Sequence, residues 1–124
     1  MPELRATLLL EVDGVALPDF PIIRRYVVAE LSGLNTISQP ADNNTTSYHP
    51  LPQITLPSLG VFLLTMDQAL NLKLNLNTPL PMNANGLVLI LGTSIIQGTP
   101  SQSVEVNNPA AATTANVGIL AGGT

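Results

Sequence analysis

His49 is the only histidine of the chain and sits in the run Tyr48-His49-Pro50. A Ser-His-Asp relay needs a nucleophile, a base and an orienting carboxylate in one place, with backbone N–H groups aimed at the developing oxyanion. Serines are scattered along the sequence, but no G-x-S-x-G elbow and no oxyanion-forming glycine loop accompanies His49. No catalytic residue is therefore assigned, and the chain is expected not to be an enzyme. Zinc is not expected from one histidine and no cysteine. Glu11 and Asp13, two apart on one side of a strand and close to Asp19, have the hard oxygen chemistry of a Ca²⁺ site. The run of closely spaced oxygen ligands that calcium needs is missing, and an acidic turn in water is expected instead. No G-x-G-x-x-G or phosphate-cradling loop occurs, so no cofactor is expected. Asn43-Asn44-Thr45-Thr46 holds two overlapping glycosylation acceptor patterns, read here as a polar loop tip.

Recognition of other molecules is constrained by what the surface can contain. The chain is 45% hydrophobic and 10% charged, far below the roughly 25% charge of an average soluble protein. Its four basic residues against eight acidic ones leave nothing to neutralise a row of phosphates, so no nucleic-acid partner is expected. Glu3 and Glu11 flank a short apolar run, unlike the basic-then-apolar order of an export signal. The longest apolar piece of the uncharged stretch 74–104, Leu87-Val88-Leu89-Ile90-Leu91, is too short to span a bilayer, so no membrane partner is expected. Carbohydrate stacking is poorly served, because there is no tryptophan and only two tyrosines and two phenylalanines.

The elements that would position these residues read as strands. At 124 residues one core is expected, a single β-sandwich domain over 1–124. Leu4, Ala6, Leu8, Leu10 and Val12 alternate with Arg5, Thr7, Leu9 and Glu11, and Asp13-Gly14 tolerates the positive φ of a tight hairpin turn. The segment 22–31 could cap as a short helix, but its Ile, Val and Tyr content and the Ile23/Arg25/Val27/Ala29/Leu31 alternation favour a strand. Pro40, Pro50, Pro52 and Pro57 predict a long proline-rich loop or edge segment over 38–60. GVFLLTM, a turn at Asp67-Gln68 and LNLKLNLN predict two antiparallel partners, and Asn85-Gly86 predicts a second turn. LVLIL, Leu87 to Leu91, reads as a strand apolar on both faces, as expected in the middle of a sandwich. Short strands with Gly, Pro and Asn punctuation together predict an all-β fold, an antiparallel β-sandwich or jelly roll.

LNLKLNLN raises a separate question. Leu70, Leu72, Leu74 and Leu76 must face a core, which leaves Asn71, Lys73, Asn75 and Asn77 on the other side. Amides can hydrogen-bond across an interface without the desolvation cost of charges. Those four residues are accordingly expected to form an interface with a neighbouring subunit, the alternative being a side that merely faces water.

The stretches GVFLLTMDQALNLKLN, NANGLVLILGTS and SVEVNNPAAATTANVGILAGG, spanning 60–123, resemble small all-β structural proteins of tailed-bacteriophage virions. The resemblance implies a jelly-roll-like fold assembled in many copies, either a capsid decoration (cement) protein or a neck or tail component. It implies partners in the major capsid protein and in copies of the chain itself, as a homo-oligomer or multicopy assembly. The outer capsid surface of the virion is the location implied, and no catalytic residue is carried over. Arg24-Arg25 and the proline-rich segment lie outside the resemblance. A free lectin-like or adhesin-like binding module is the competing expectation.

Overall fold

A computed structural model describes residues 3–28, 30–51, 58–74, 78–97 and 104–123. Among them the chain is all-β, with no helix. Twelve strands form: β1 (Glu3–Leu8), β2 (Glu11–Val12), β3 (Val15–Ala16), β4 (Ile22–Val27), β5 (Glu30–Gln39), β6 (His49–Pro50), β7 (Ser58–Met66), β8 (Leu70–Leu74), β9 (Leu80–Met82), β10 (Leu87–Gln97), β11 (Val104–Asn107) and β12 (Ala115–Gly123).

Two four-stranded antiparallel sheets, ordered β10-β7-β12-β5 and β6-β11-β8-β9, pack face to face in a sandwich-like arrangement. Period-two alternation supplies the core from both sides. Phe62, Leu64 and Met66 of β7 and Val117, Ile119 and Ala121 of β12 meet Leu70 and Leu72 of β8 and Val104 and Val106 of β11. Each buried leucine is worth about 2 kcal/mol relative to exposure, as an upper estimate. The leucine side of β8 is thus the core side, with Leu70 and Leu72 fully buried.

The strand pairing is nested: β5 pairs with β12, β6 with β11, β7 with β10 and β8 with β9. Further pairing of β12 with β7 and of β11 with β8 closes the two sheets. The body is therefore one long antiparallel ribbon rolled upon itself. This corrects the hairpin expectation for β7 and β8, which lie in opposite sheets with the Asp67-Gln68 turn carrying the chain from one to the other. Asn85-Gly86 does form a turn, Asn85 at φ 60° and Gly86 N–H donating to Asn83 O at 3.0 Å, yet it too joins strands of different sheets. A β-carbon on Gly86 would lie 2.9 Å from that same oxygen.

Other boundaries shift for identifiable reasons. The proline-rich window 38–60 is shorter than expected as a loop, because β5 runs to Gln39 and β7 begins at Ser58; residues 52–57 lie outside the described ones. Pro50 and Pro81 occupy edge strands β6 and β9, where a missing N–H costs no ladder bond. β10 is an edge strand as well: Val88 and Ile90 pack on the core while Leu87 is 57% exposed.

Residues 3–27 form an arm. β1 pairs with β4 over Glu3↔Val27 to Leu8↔Ile22, and β2 with β3 at its tip. Asp13 and Gly14, at φ 52° and 79°, make the tight turn between β2 and β3. At the arm's base Tyr26 lies over Gly92, whose φ of 76° and missing side chain allow the close approach. The expected continuous strand 4–12 is interrupted at Leu9 and Leu10. Strand 22–31 divides into β4 and the start of β5, and its Ile23 and Val27 face outward, not toward a core.

Candidate functional site

The outward residues of β8 and β11 are set side by side by register, Asn71 opposite Asn107 and Lys73 opposite Glu105. Segment 41–51 lies against this face. Asn107, fully buried, donates through Nδ2 to Ser47 O (2.8 Å), Asn44 O (3.0 Å) and Asp42 Oδ2 (3.3 Å), and its Oδ1 accepts from Asn71 Nδ2 at 3.0 Å. Lys73 Nζ stands 4.2 Å from the centre of the Tyr48 ring, a cation–π contact. The asparagine face of β8 thus meets β11 through Asn71 and the chain's own loop through Lys73. Asn75 and Asn77 lie outside the described residues.

Asp42 is the hub of the latch. Its Oδ1 accepts from His49 Nε2 at 2.6 Å and its Oδ2 from Asn108 N–H at 2.9 Å. Neighbouring Asn108, also fully buried, donates to Gln39 O (3.0 Å) and Thr113 O (2.8 Å) and accepts from Ala110 N–H at 3.2 Å. Asn44 Oδ1 receives the N–H groups of Thr46 and Ser47, at 3.0 and 2.9 Å, so the Asn43–Thr46 stretch is an exposed, self-bonded turn. Every amide group of Asn107 and Asn108 has a partner, the condition under which buried polar networks rigidify a fold. The arrangement brings His49 to a carboxylate, as a relay would require, but commits Nε2 to Asp42 in holding the loop.

Burial pushes the Asp42 carboxyl up, and the Asn108, His49 and Asn107 contacts outweigh it, so its pKa lies below the usual 3.8. A carboxylate depressed in the folded state stabilises the fold above the unfolded-state pKa and loses that contribution as pH falls through the folded value. The urea midpoint should therefore fall on acidification below about pH 4. The fall should be shallower in Asp42→Asn; equal acid dependence in both proteins would mean that the latch contributes nothing to it. Asp67, held low by the backbone and side-chain amides of Asn116 (2.7 and 2.8 Å), acts in the same direction and stays constant in that comparison.

Asp67 and Asn116 also line an open depression of about 280 Å³ with Thr36, Thr65, Met66, Asn85 and Gly118. Glu11, Asp13 and Asp19 are exposed on the arm, and among the described residues no three His, Asp or Glu side chains stand together as a metal site would require.

A second surface was not anticipated from the sequence. Every residue from Thr7 to Asp19 is exposed, including Leu8, Leu9, Leu10, Val12, Val15 and Leu17. A two-stranded ribbon is marginal in water unless it packs against something. Its signal was the unbroken Leu8-Leu9-Leu10, which makes both faces of a strand apolar, inside the thirty residues that hold eight of the twelve charges.

Compared with known proteins, the chain matches no family model, no curated protein and no solved structure.

Proposed function

We propose that this chain is a non-enzymatic virion structural protein present in many copies, a capsid decoration (cement) protein that binds and stabilises the major capsid lattice from its outer surface. The observation that carries this reading is the arm: an element that leaves a run of large apolar side chains exposed is an element for assembly. The nested pairing of β5 to β12 supports a jelly roll, eight strands in two sheets, an architecture that recurs in viral capsid and lectin domains. Fold alone does not assign function, and the virion setting rests on the sequence resemblance.

Capsids lacking the protein should bind it saturably on co-sedimentation and should then rupture at a higher temperature. His49→Ala should occupy them to the same level. If the protein stays in the supernatant and capsids without it are equally heat-resistant, the decoration reading fails; binding to necks or tails alone would move it to that part of the particle. A ligand-binding module is a second reading, favoured by the depression itself, a largely apolar hollow with Asp67 and Asn116 among its lining residues. The absence of an aromatic ring among its lining residues weighs against sugar stacking there.

A further inference from the structure

We infer that the arm's partner is the arm of a second copy, laid antiparallel across it about a two-fold axis beside Leu9 and Leu10. The inference rests on the multicopy reading and specifies its contact.

Charge is segregated along the arm. The shaft, β1 with β4, holds Arg5, Arg24 and Arg25 against Glu3, a net +2. The remainder out to the tip, residues 9–20, holds Glu11, Asp13 and Asp19 and no base, a net −3. Arg5 and Arg25 are direct cross-strand partners, an unfavourable like-charge pair that Glu3, 3.8 Å from Arg25 Nε, only partly relieves. An external source of negative charge is what the shaft lacks, and the tip of an identical arm has it.

Geometry then fixes the orientation. Parallel arms would set shaft on shaft and tip on tip, repelling at both ends. Antiparallel arms set each shaft on the other's tip, attracting at both ends, and make the contact isologous, as a two-fold requires. Residue 9 is midway in the chain between Arg5 and Asp13, so exposed Leu8, Leu9 and Leu10 fall at the centre, with Arg5 and Arg25 on one side of them and Glu11 and Asp13 on the other, while Asp19 lies beside the leucines on the returning segment. An apolar centre with a polar rim is the usual anatomy of a protein interface.

The test uses two charge variants of the full chain. Arg5→Glu/Arg24→Glu turns the shaft to −2 while keeping the Glu3–Arg25 pair. Glu11→Lys/Asp13→Asn/Asp19→Asn turns the tip to +1, with asparagine at the two positive-φ positions because it tolerates them. Sedimentation at low salt should show wild-type dimers, and each variant alone should dimerise at least about tenfold more weakly. Mixed together, the two variants should recover dimers, because in the heterodimer both shaft–tip contacts attract again.

The chain has no cysteine, so Leu9→Cys reports contact at the axis. It should oxidise to a covalent dimer, while Thr45→Cys, exposed on segment 41–51, should not. Circular dichroism of each variant should match wild type, because the altered side chains are exposed. A wild-type protein that stays monomeric, or variants that fail to rescue one another on mixing, would overturn the arm pairing. Neither result touches capsid co-sedimentation, on which the decoration reading stands or falls separately. A tip variant that associates more strongly than wild type would place the shaft on an acidic surface elsewhere and also overturn it.

Discussion

Leu72→Asn should leave the chain largely unfolded at moderate temperature. Leu72 is fully buried on β8, opposite Val106 in one neighbouring strand and Leu80 in the other. Removing its side chain from the core forfeits about 2 kcal/mol of transfer free energy. The incoming amide finds only apolar neighbours and adds a further 1–3 kcal/mol or so for unmade hydrogen bonds. Against a domain stability on the order of 5–15 kcal/mol, a total near 4 kcal/mol is a large share. The melting temperature should drop by roughly 15 °C. Leu80→Asn is the matched comparison, since Leu80 is 50% exposed on an edge strand and should move the melt by only a few degrees. Equal effects of the two substitutions would contradict the face assignment of β8.

Asn107→Ala should release segment 41–51 from the sheet. It removes the donor shared by Asp42, Asn44 O and Ser47 O, and the acceptor of Asn71, all at one buried position. Where several partly buried partners are orphaned together, a cost of about 2–4 kcal/mol is expected. The effect should be local first: faster amide exchange at Thr46 and Ser47 and new protease cleavage within 41–51, ahead of global unfolding. Asn107→Asp separates charge from shape. It keeps the size but sets a second carboxylate beside Asp42, so at neutral pH it should be at least as damaging as alanine. Acidification should then partly rescue it, the reverse of the wild-type trend. If 41–51 in Asn107→Ala remains as protected as in wild type, the network is ornamental and the loop is held by β6 alone.

How far these features could be read in advance depended on their range. Asp13-Gly14, Asn85-Gly86 and the LNLK alternation are short-range signals, and each produced the turn or strand face it encodes. Alternation states which side chains share a face, not what covers that face. Thus Ile23 and Val27 belong to the alternation that predicts a strand over 22–31 and stand exposed on it, and Asn71, on the amide side of β8, hydrogen-bonds the chain's own Asn107, thirty-six residues away. The sheet assignment was likewise illegible, because a tight turn looks the same whether it joins neighbours in one sheet or carries the chain across the core. Nothing local to Asp42 or His49 foretold that Asn107 and Asn108 would gather them.

The rolled ribbon also sets an order of events. β8 and β9 can meet as soon as both exist, since Leu72 and Leu80 are eight residues apart. Among the described residues β5 has β12 as its sole neighbour in its sheet, and their register extends to Glu30 with Gly123, ninety-three residues apart. Closing so long a loop is entropically costly before any contact rewards it, and folds dominated by such pairings are slow. During synthesis β5 must therefore wait, its edge unpaired, until β12 has left the ribosome and docked between it and β7. The interval is one in which a chain this poor in charge is open to wrong partners, and a holding chaperone would act there, on the nascent β5, more than on the finished fold.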